Sequence, residues 1–201
     1  MRPSTLLVFI TPTLTGVVAA QGREVNLIKP APCSDGLHAL GLTSPPRSIE
    51  LRATYDSARD STRVTYARPS AAAVVRPRDG VNEITGLMYV PNRPPSELPP
   101  LELDLLVHSP APRAPEERIL TFQLDDSTTL GVGLAGAHPS VQLGGGGVNE
   151  HIISMISPAD ALQLLRANRI RGSLGTMKFG VSDQDRDGLR ALVMYVRCGA
   201  R

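Results

Sequence analysis

One short acidic segment near the C-terminus has the residue types of a cation site. Residues 183–188 read Asp-Gln-Asp-Arg-Asp-Gly, so a carboxylate stands at every second position and a glycine follows the third. This is the opening half of a calcium-binding loop, in which carboxylates surround one hard cation and the glycine permits a sharp bend. Asp183, Asp185 and Asp187 are therefore the candidate calcium ligands of this chain.

The segment resembles an EF-hand loop over these six residues only. A complete loop has a bidentate glutamate at its twelfth position, and the corresponding residue here is Met194, which offers no oxygen. The alternative is a helix start, in which Ser182 is the N-cap and acidic side chains favour the positive helix end. The apolar residues that follow recur at helical spacing: Leu189, Leu192, Val193 and Val196. This spacing favours the helix, in which Gly188 is expected only to lower stability, by about 1 kcal/mol relative to alanine.

The two cysteines, Cys33 and Cys198, lie near the two ends of the chain. An isolated cysteine pair in an exported protein most often forms one disulfide, and no Cys-x-x-Cys spacing or neighbouring histidine indicates a metal site. Closing a loop of this length restricts the unfolded chain by roughly 5 kcal/mol in the entropic model. We therefore expect a disulfide between Cys33 and Cys198.

The other residues show no catalytic constellation. The chain has no Gly-x-Ser-x-Gly elbow and no phosphate-binding glycine loop before a helix. The histidines lack the spacing of a zinc site: His38, His108, His138 and His151. A glycosidase-type carboxylate pair is recognised only by its separation in space. We therefore expect no catalytic residue and no cofactor apart from the calcium alternative, and we retain a hydrolase with a fold-assembled carboxylate pair as another alternative.

The first twenty residues predict export. A basic start precedes an apolar run, and small residues at 18–20 match the site that signal peptidase cleaves. The run is interrupted by Pro12 and is shorter than the ~20 residues of a membrane-spanning helix. We expect residues 1–20 to be a cleaved signal peptide and the mature chain to begin near Gln21, with no transmembrane anchor. The expected location is the periplasm or the extracellular medium.

Composition narrows the range of partners. The 201 residues include 21 basic and 19 acidic side chains, and no element gathers the basic ones into a phosphate-binding surface. The chain has no tryptophan, and aromatic residues make up 3% of it, which argues against modules that stack nucleobases or sugars on flat rings. The excess of arginine over lysine, with abundant alanine, glycine and proline, is typical of a GC-rich bacterial genome. We expect no nucleic-acid partner.

Alternating polar and apolar residues predict strands over most of the chain. The predicted strands lie in a hairpin at 48–67 and at 84–90, 101–107, 118–124, 128–134, 151–156 and, as two short strands, 170–181. Helices are predicted over about 158–168 and after Ser182, whereas the proline-rich segment 21–47 is expected to be extended and loop-like. The expected fold is mainly β, α+β at the C-terminus: one antiparallel β-sandwich-like domain over 48–201 with two C-terminal helices.

These observations predict a secreted or periplasmic bacterial β-sandwich protein that acts as a non-catalytic, envelope-associated binding or structural module. Its partner would be an envelope protein or a cell-surface component. The first alternative is a calcium-stabilised adhesion-type domain that uses the three aspartates. The second is the hydrolase whose carboxylate pair forms only in the fold.

Overall fold

A computed structural model describes residues 25–67, 79–91, 97–112, 115–137, 141–142 and 147–199 of the chain. The predicted signal peptide lies outside these residues. Within them, the protein is mostly antiparallel β-structure with three α-helices and one 3-10 turn at Pro115–Arg118. The strands are β1 (Val25–Ile28), β2 (Leu51–Asp56), β3 (Ser61–Ala67), β4 (Gly80–Pro91), β5 (Leu101–Ser109), β6 (Ile119–Leu124), β7 (Thr128–Leu134), β8 (Gly136–Ala137), β9 (Val141–Gln142), β10 (Val148–Ile156), β11 (Ile170–Leu174) and β12 (Met177–Gly180). The helices are α1 (Ser34–Leu40), α2 (Pro158–Arg166) and α3 (Asp183–Cys198).

The strands form two antiparallel sheets. The large sheet has the order β1-β2-β3-β4-β5-β10-β8, and β9 also pairs with β10. The small sheet has the order β12-β11-β6-β7. The predicted hairpins appear where expected, but β4 begins at Gly80 and β10 at Val148, ahead of their apolar runs. Both strands start earlier because they pair with the far end of β5, around His108.

One hydrophobic core joins the two sheets and the helices. In β5 every second residue from Leu101 to Val107 is buried, and Leu120, Phe122 and Leu124 of β6 are buried in the same core. α3 contributes further buried leucines to it. Full burial of a leucine side chain contributes about 1.5–3 kcal/mol relative to an exposed one, so this layered core is the main source of stability. The predicted mainly β, sandwich-like architecture with two C-terminal helices is confirmed.

The two C-terminal helices begin where their caps predict. The Ser157 side chain accepts a hydrogen bond from the Asp160 backbone N–H, and Pro158 is the first residue of α2. Ser182 and Asp185 form a reciprocal capping box at the start of α3. Among the helices in the described residues, none combines the length and the apolar character that crossing a membrane would require.

Within residues 25–47, part of the segment expected to be extended and loop-like, the structure contains two regular elements. β1 pairs antiparallel with β2, and α1 follows it. The N-cap of α1 is Cys33, whose sulfur accepts a 3.4 Å hydrogen bond from the backbone N–H of Gly36. A side chain at Gly36 would place its Cβ 2.5 Å from Met194 Sδ, so glycine allows α1 to lie against α3. This long-range contact stabilises a seven-residue helix that local preferences alone would not predict.

The expected disulfide between Cys33 and Cys198 is present, with Cα atoms 5.7 Å apart. It joins the start of α1 to the end of α3. The bridge encloses the whole described β-structure after β1, because 165 positions separate the two cysteines.

Candidate functional site

The predicted calcium ligands lie in the first turns of α3. Asp183 is mostly exposed and pairs with Arg186, with a 3.0 Å separation between Oδ1 and an Arg186 nitrogen. Asp185 and Asp187 are buried. Their carboxylates contact different groups, so the three side chains are divided among three separate interactions.

Asp185 anchors α3 to the large sheet. Its Oδ2 accepts hydrogen bonds from Ser182 Oγ at 2.6 Å and from the Ser182 backbone N–H at 3.3 Å. Its Oδ1 accepts a 3.1 Å bond from the Tyr66 hydroxyl of β3. Both Asp185 and Tyr66 are almost fully buried, and a buried carboxylate is tolerated only when its oxygens are hydrogen-bonded.

Gly188 provides the space that this contact needs. A Cβ at Gly188 would lie 2.1 Å from the Tyr66 ring, a separation that real Cβ atoms do not show. The expectation that this glycine only weakens the helix was therefore incomplete. Its lack of a side chain lets an aromatic ring of β3 lie directly against α3.

Asp187 and Arg190 connect α3 to the end of α2. Arg190 is buried, lies 3.7 Å from Asp187 Oδ1, and donates to the carbonyl oxygens of Leu165 at 2.7 Å and Ala167 at 3.1 Å. These carbonyls are left without helical partners where α2 ends. Burial, followed by the nearby charge of Arg186, lowers the pKa of Arg190 below its ordinary value, whereas Asp187 raises it.

The acidic segment is therefore a helix start that also connects three elements, and the helix interpretation is confirmed. Among the described residues, no three histidine, cysteine, aspartate or glutamate side chains are grouped to hold a metal ion. The calcium site at Asp183, Asp185 and Asp187 stays a prediction, without an assembled ligand set to support it.

The histidines are dispersed over the described part of the chain. Two of them bond to neighbours across the large sheet: His108 Nδ1 to Asn149 Oδ1 at 2.9 Å, and His151 Nδ1 to Asp104 Oδ2 at 2.9 Å. The remaining two are His38, which lies on α1, and His138, which falls outside the described residues. The described histidines therefore act as separate polar side chains.

A groove of about 620 Å³, lined by polar side chains together with two phenylalanines and two glycines, lies on the solvent side of the small sheet. We call it the small-sheet groove. Strand register places its outward-facing residues in two rows across the four strands. The first row is Thr129, Gln123, Arg171 and Gly180, and the second is Gly131, Thr121, Ser173 and Lys178. Because the alternate residues of β6 are buried in the core, the outward-facing residues of these two rows are polar side chains and glycine. Beyond the rows, the β6–β7 pair ends in two exposed apolar residues, Ile119 and Leu134.

Two glycines leave the ends of the rows open. Gly131 lies at the β7 end of one row and Gly180 at the β12 end of the other. A Cβ added at either position meets no atom within 4 Å. The backbone would therefore accept a larger residue at either position, and Gly180 belongs to the groove lining whereas Gly131 lies next to it.

The groove is lined by two cations and several neutral polar groups. Arg171 forms a 2.9 Å ion pair with Asp126, which lies outside the groove lining. Lys178 is exposed and has no ion-pair partner among the described residues. Thr121 Oγ1 and Ser173 Oγ lie 2.6 Å apart. The lining contains no carboxylate, so it favours a ligand that is polar and not cationic.

No sequence motif marks this groove. The alternation of β6 and β11 predicts which residues face outward, but it does not predict that Thr121 and Ser173 are neighbours. Arg171 and Lys178 also lie in different strands, so the linear sequence shows no cluster of cations. The one local signal was Lys178 itself, since the chain has only one other lysine, Lys29.

The other sizeable grooves in the described residues give little support to the hydrolase alternative. One lies among the three helices and contains Asp35, a second lies beside the β6–β7 turn and contains Asp125, and a third is lined mainly by prolines. Each has at most one carboxylate, whereas glycoside hydrolysis uses two. The carboxylate-pair hydrolase therefore stays a prediction.

Neither a protein family nor a curated protein nor a solved structure was found to match this chain.

Proposed function

We propose that this protein is an exported bacterial binding module without catalytic activity, and that its ligand lies in the small-sheet groove. The groove is the observation that carries the proposal. It combines a solvent-facing volume of about 620 Å³ with a lining of hydroxyl, amide and cationic side chains. Such groups exchange their bound water for a polar ligand without unfolding any part of the core.

Two features support location outside the cytoplasm. The first is the N-terminal segment with the pattern of a cleaved signal peptide. The second is the Cys33–Cys198 disulfide, because structural disulfides form and persist in oxidising compartments such as the periplasm.

The groove lining favours binding over catalysis. Thr121 and Ser173 are hydroxyl groups that hydrogen-bond to each other. A hydroxyl becomes an effective nucleophile when a neighbouring base takes its proton, and the lining holds neither a histidine nor a carboxylate. The groups that are present recognise a ligand by hydrogen bonds and charge.

The binding proposal is tested with a variant that fills the groove. Gly180→Val adds a side chain at an unobstructed strand position in the groove lining, so the fold is expected to be retained. Gly136→Val on β8 is the matched control, because its added Cβ meets only the Ile153 carbonyl oxygen, at 3.7 Å. Both variants and the unmodified protein are screened by NMR against acidic, neutral and basic oligosaccharides and peptides.

We expect at least one probe to shift the resonances of the groove residues saturably, and Gly180→Val to abolish the shift while Gly136→Val retains it. A screen in which no probe shifts these resonances, or in which the filled groove binds as well as the open one, contradicts the proposal.

The export proposal has a separate test. The full chain is expressed in a bacterium that has a periplasm, and the protein recovered from that compartment is sequenced from its N-terminus. We expect a mature chain that begins near Gln21. Retention in the cytoplasm with Met1 in place would contradict export while leaving the groove proposal intact.

A further inference from the structure

We infer that the ligand of the small-sheet groove is a linear acidic oligosaccharide, with one of its carboxylates bound between Arg171 and Lys178. This inference rests on the proposed function and adds the chemical class and orientation of the ligand. It depends on where the cations, the hydroxyl groups and the aromatic rings lie within the groove.

The cations are placed to share one anionic group. Arg171 pairs with Gly180, and Lys178 pairs with Ser173, so the two cations are diagonal neighbours on the same face of β11 and β12. Diagonal side chains on a sheet face begin about 7–8 Å apart, within reach of long side chains. A carboxylate between them accepts hydrogen bonds from both, and such charge-assisted bonds are about twice as strong as neutral ones.

An ion pair with Asp126 limits the orientation of the Arg171 side chain. The Oδ1 of Asp126 lies 2.9 Å from one guanidinium nitrogen of Arg171, and its Oδ2 contacts Arg169. A guanidinium has five N–H donors, so Arg171 keeps donors for a ligand while this pair limits its orientation. Lys178 has no described ion-pair partner and contributes the uncompensated charge.

Neutral polar groups continue from the cations toward β7. The Thr121–Ser173 hydroxyl pair lies between Lys178 and Gly131, and Gln123 lies between Arg171 and Thr129. Neighbouring strands are about 4.8 Å apart, so the four strands extend over about 14 Å across the groove. A short chain of hydroxylated units that crosses the strands would meet a hydrogen-bond donor or acceptor on each strand that it passes. Its acidic unit would lie at the β12 side and its neutral hydroxyls at the β7 side.

The groove offers no fully exposed aromatic ring, since its phenylalanines are buried or half-buried. Its lining includes no tyrosine or tryptophan. Of its two phenylalanines, Phe122 is buried, and Phe179 is held edge-on against it at a centroid distance of 6.1 Å and lies over Gly172. Nucleobases and neutral sugars depend strongly on stacking against such rings. The groove therefore favours a sugar chain whose affinity comes from charge and hydrogen bonds.

The test compares three ligands by isothermal titration calorimetry and NMR. They are a trimer of galacturonic acid, the same trimer as its methyl ester, and glutarate. The ester keeps the hydroxyls and removes the charge, whereas glutarate keeps carboxylates without the sugar. We expect the acid trimer to bind at least 10-fold more tightly than either of the other two, with shifts at Arg171, Ser173 and Lys178.

Two lysine variants test whether Lys178 provides the positive charge that binds the ligand carboxylate. Lys178→Gln is expected to weaken binding of the acid trimer at least 10-fold, because it removes the uncompensated cation. Lys29→Gln is the matched control, since Lys29 is also exposed but follows β1 on the other sheet, and it should leave the affinity unchanged. Raising the ionic strength should weaken binding to the unmodified protein more than to Lys178→Gln.

The possible failures are distinguishable. Equal affinity for acid and ester, tight binding of glutarate, or no effect of Lys178→Gln overturns the acidic-sugar inference. If Gly180→Val still abolishes binding of one of those ligands, the groove remains a binding site for another class of molecule. If none of the three ligands binds, the inference falls, and the broader probe screen decides the proposed function separately.

Discussion

Polar side chains are concentrated in two regions of this molecule, and the regions differ in what the polar atoms contact. At the start of α3, Asp185 and Arg190 are buried. Asp185 accepts hydrogen bonds from a tyrosine of β3 and from the N-cap serine of α3, and Arg190 donates to a carbonyl oxygen at the end of α2. On the small sheet, Lys178 and its neighbours face solvent. The first region resembles a known ligand motif in sequence and forms the start of a helix in the structure. The second resembles no motif and is the better candidate for a ligand surface.

The difference follows from the free energy of burying charge. A buried carboxylate or guanidinium must recover its lost hydration through hydrogen bonds within the protein, which leaves few donors or acceptors for anything else. An exposed cation keeps its hydration and can exchange it for a ligand. The accessibility of polar atoms, more than residue type, therefore separates a structural polar cluster from a binding surface.

The largest expected effect is a loss of stability in the buried polar region at the start of α3. Arg190→Gln removes the charge beside Asp187 and the two bonds to the carbonyl groups at the end of α2, so we expect it to destabilise the protein by about 3–5 kcal/mol. Urea unfolding monitored by circular dichroism measures the change. The control is Arg169→Gln, whose exposed ion pair should contribute less than about 1 kcal/mol. Similar losses for both variants would contradict the distinction between the two regions.

The second-largest expected effect is a loss of stability from a glycine-to-alanine substitution, which in a helix usually increases stability. In a helix, Gly→Ala ordinarily stabilises by about 1 kcal/mol. We expect Gly188→Ala to destabilise by about 1–3 kcal/mol, because the new methyl group overlaps the Tyr66 ring. The same substitution in a Tyr66→Ala background should be neutral or stabilising, and this double-mutant cycle isolates the contact. A stabilising Gly188→Ala in the unmodified background would refute the close packing.

A smaller change in the free energy of unfolding is expected from a substitution in the small-sheet groove. Lys178→Gln should alter the free energy of unfolding by less than about 0.5 kcal/mol, because the side chain is exposed and has no described ion pair. Denaturant titration checks this value in the same series as Arg190→Gln. A loss above about 1 kcal/mol would mean that Lys178 is structural, which would weaken its assignment to ligand binding.

The smallest expected effect concerns calcium. If the acidic segment serves only the helix start, millimolar calcium should leave the thermal midpoint unchanged and should release no measurable heat on titration. Asp183→Asn should make no difference to either measurement. A calcium-dependent rise in the midpoint that Asp183→Asn removes would restore the calcium-stabilised adhesion alternative.

Several features of the fold could be predicted from local patterns because their physics is local. Serine caps followed by an acid three residues later predicted both C-terminal helices, and period-two alternation predicted the β2–β3 hairpin. α1 was missed because prolines surround it and its cap is a cysteine held by a disulfide. Its stability comes from α3, which lies at the other end of the chain.

Sequence alone established the alternation of buried and exposed residues, the starts of the two C-terminal helices and the availability of one cysteine pair. The first two depend on side-chain chemistry at spacings of two to four residues, and the third follows from composition. The tertiary structure alone decided that the Tyr66 hydroxyl meets Asp185, 119 positions away, and that β6 pairs with β11 to align Thr121 with Ser173. Such pairings depend on how whole faces pack into a shared core, because the free energy of burial is gained only when distant segments meet.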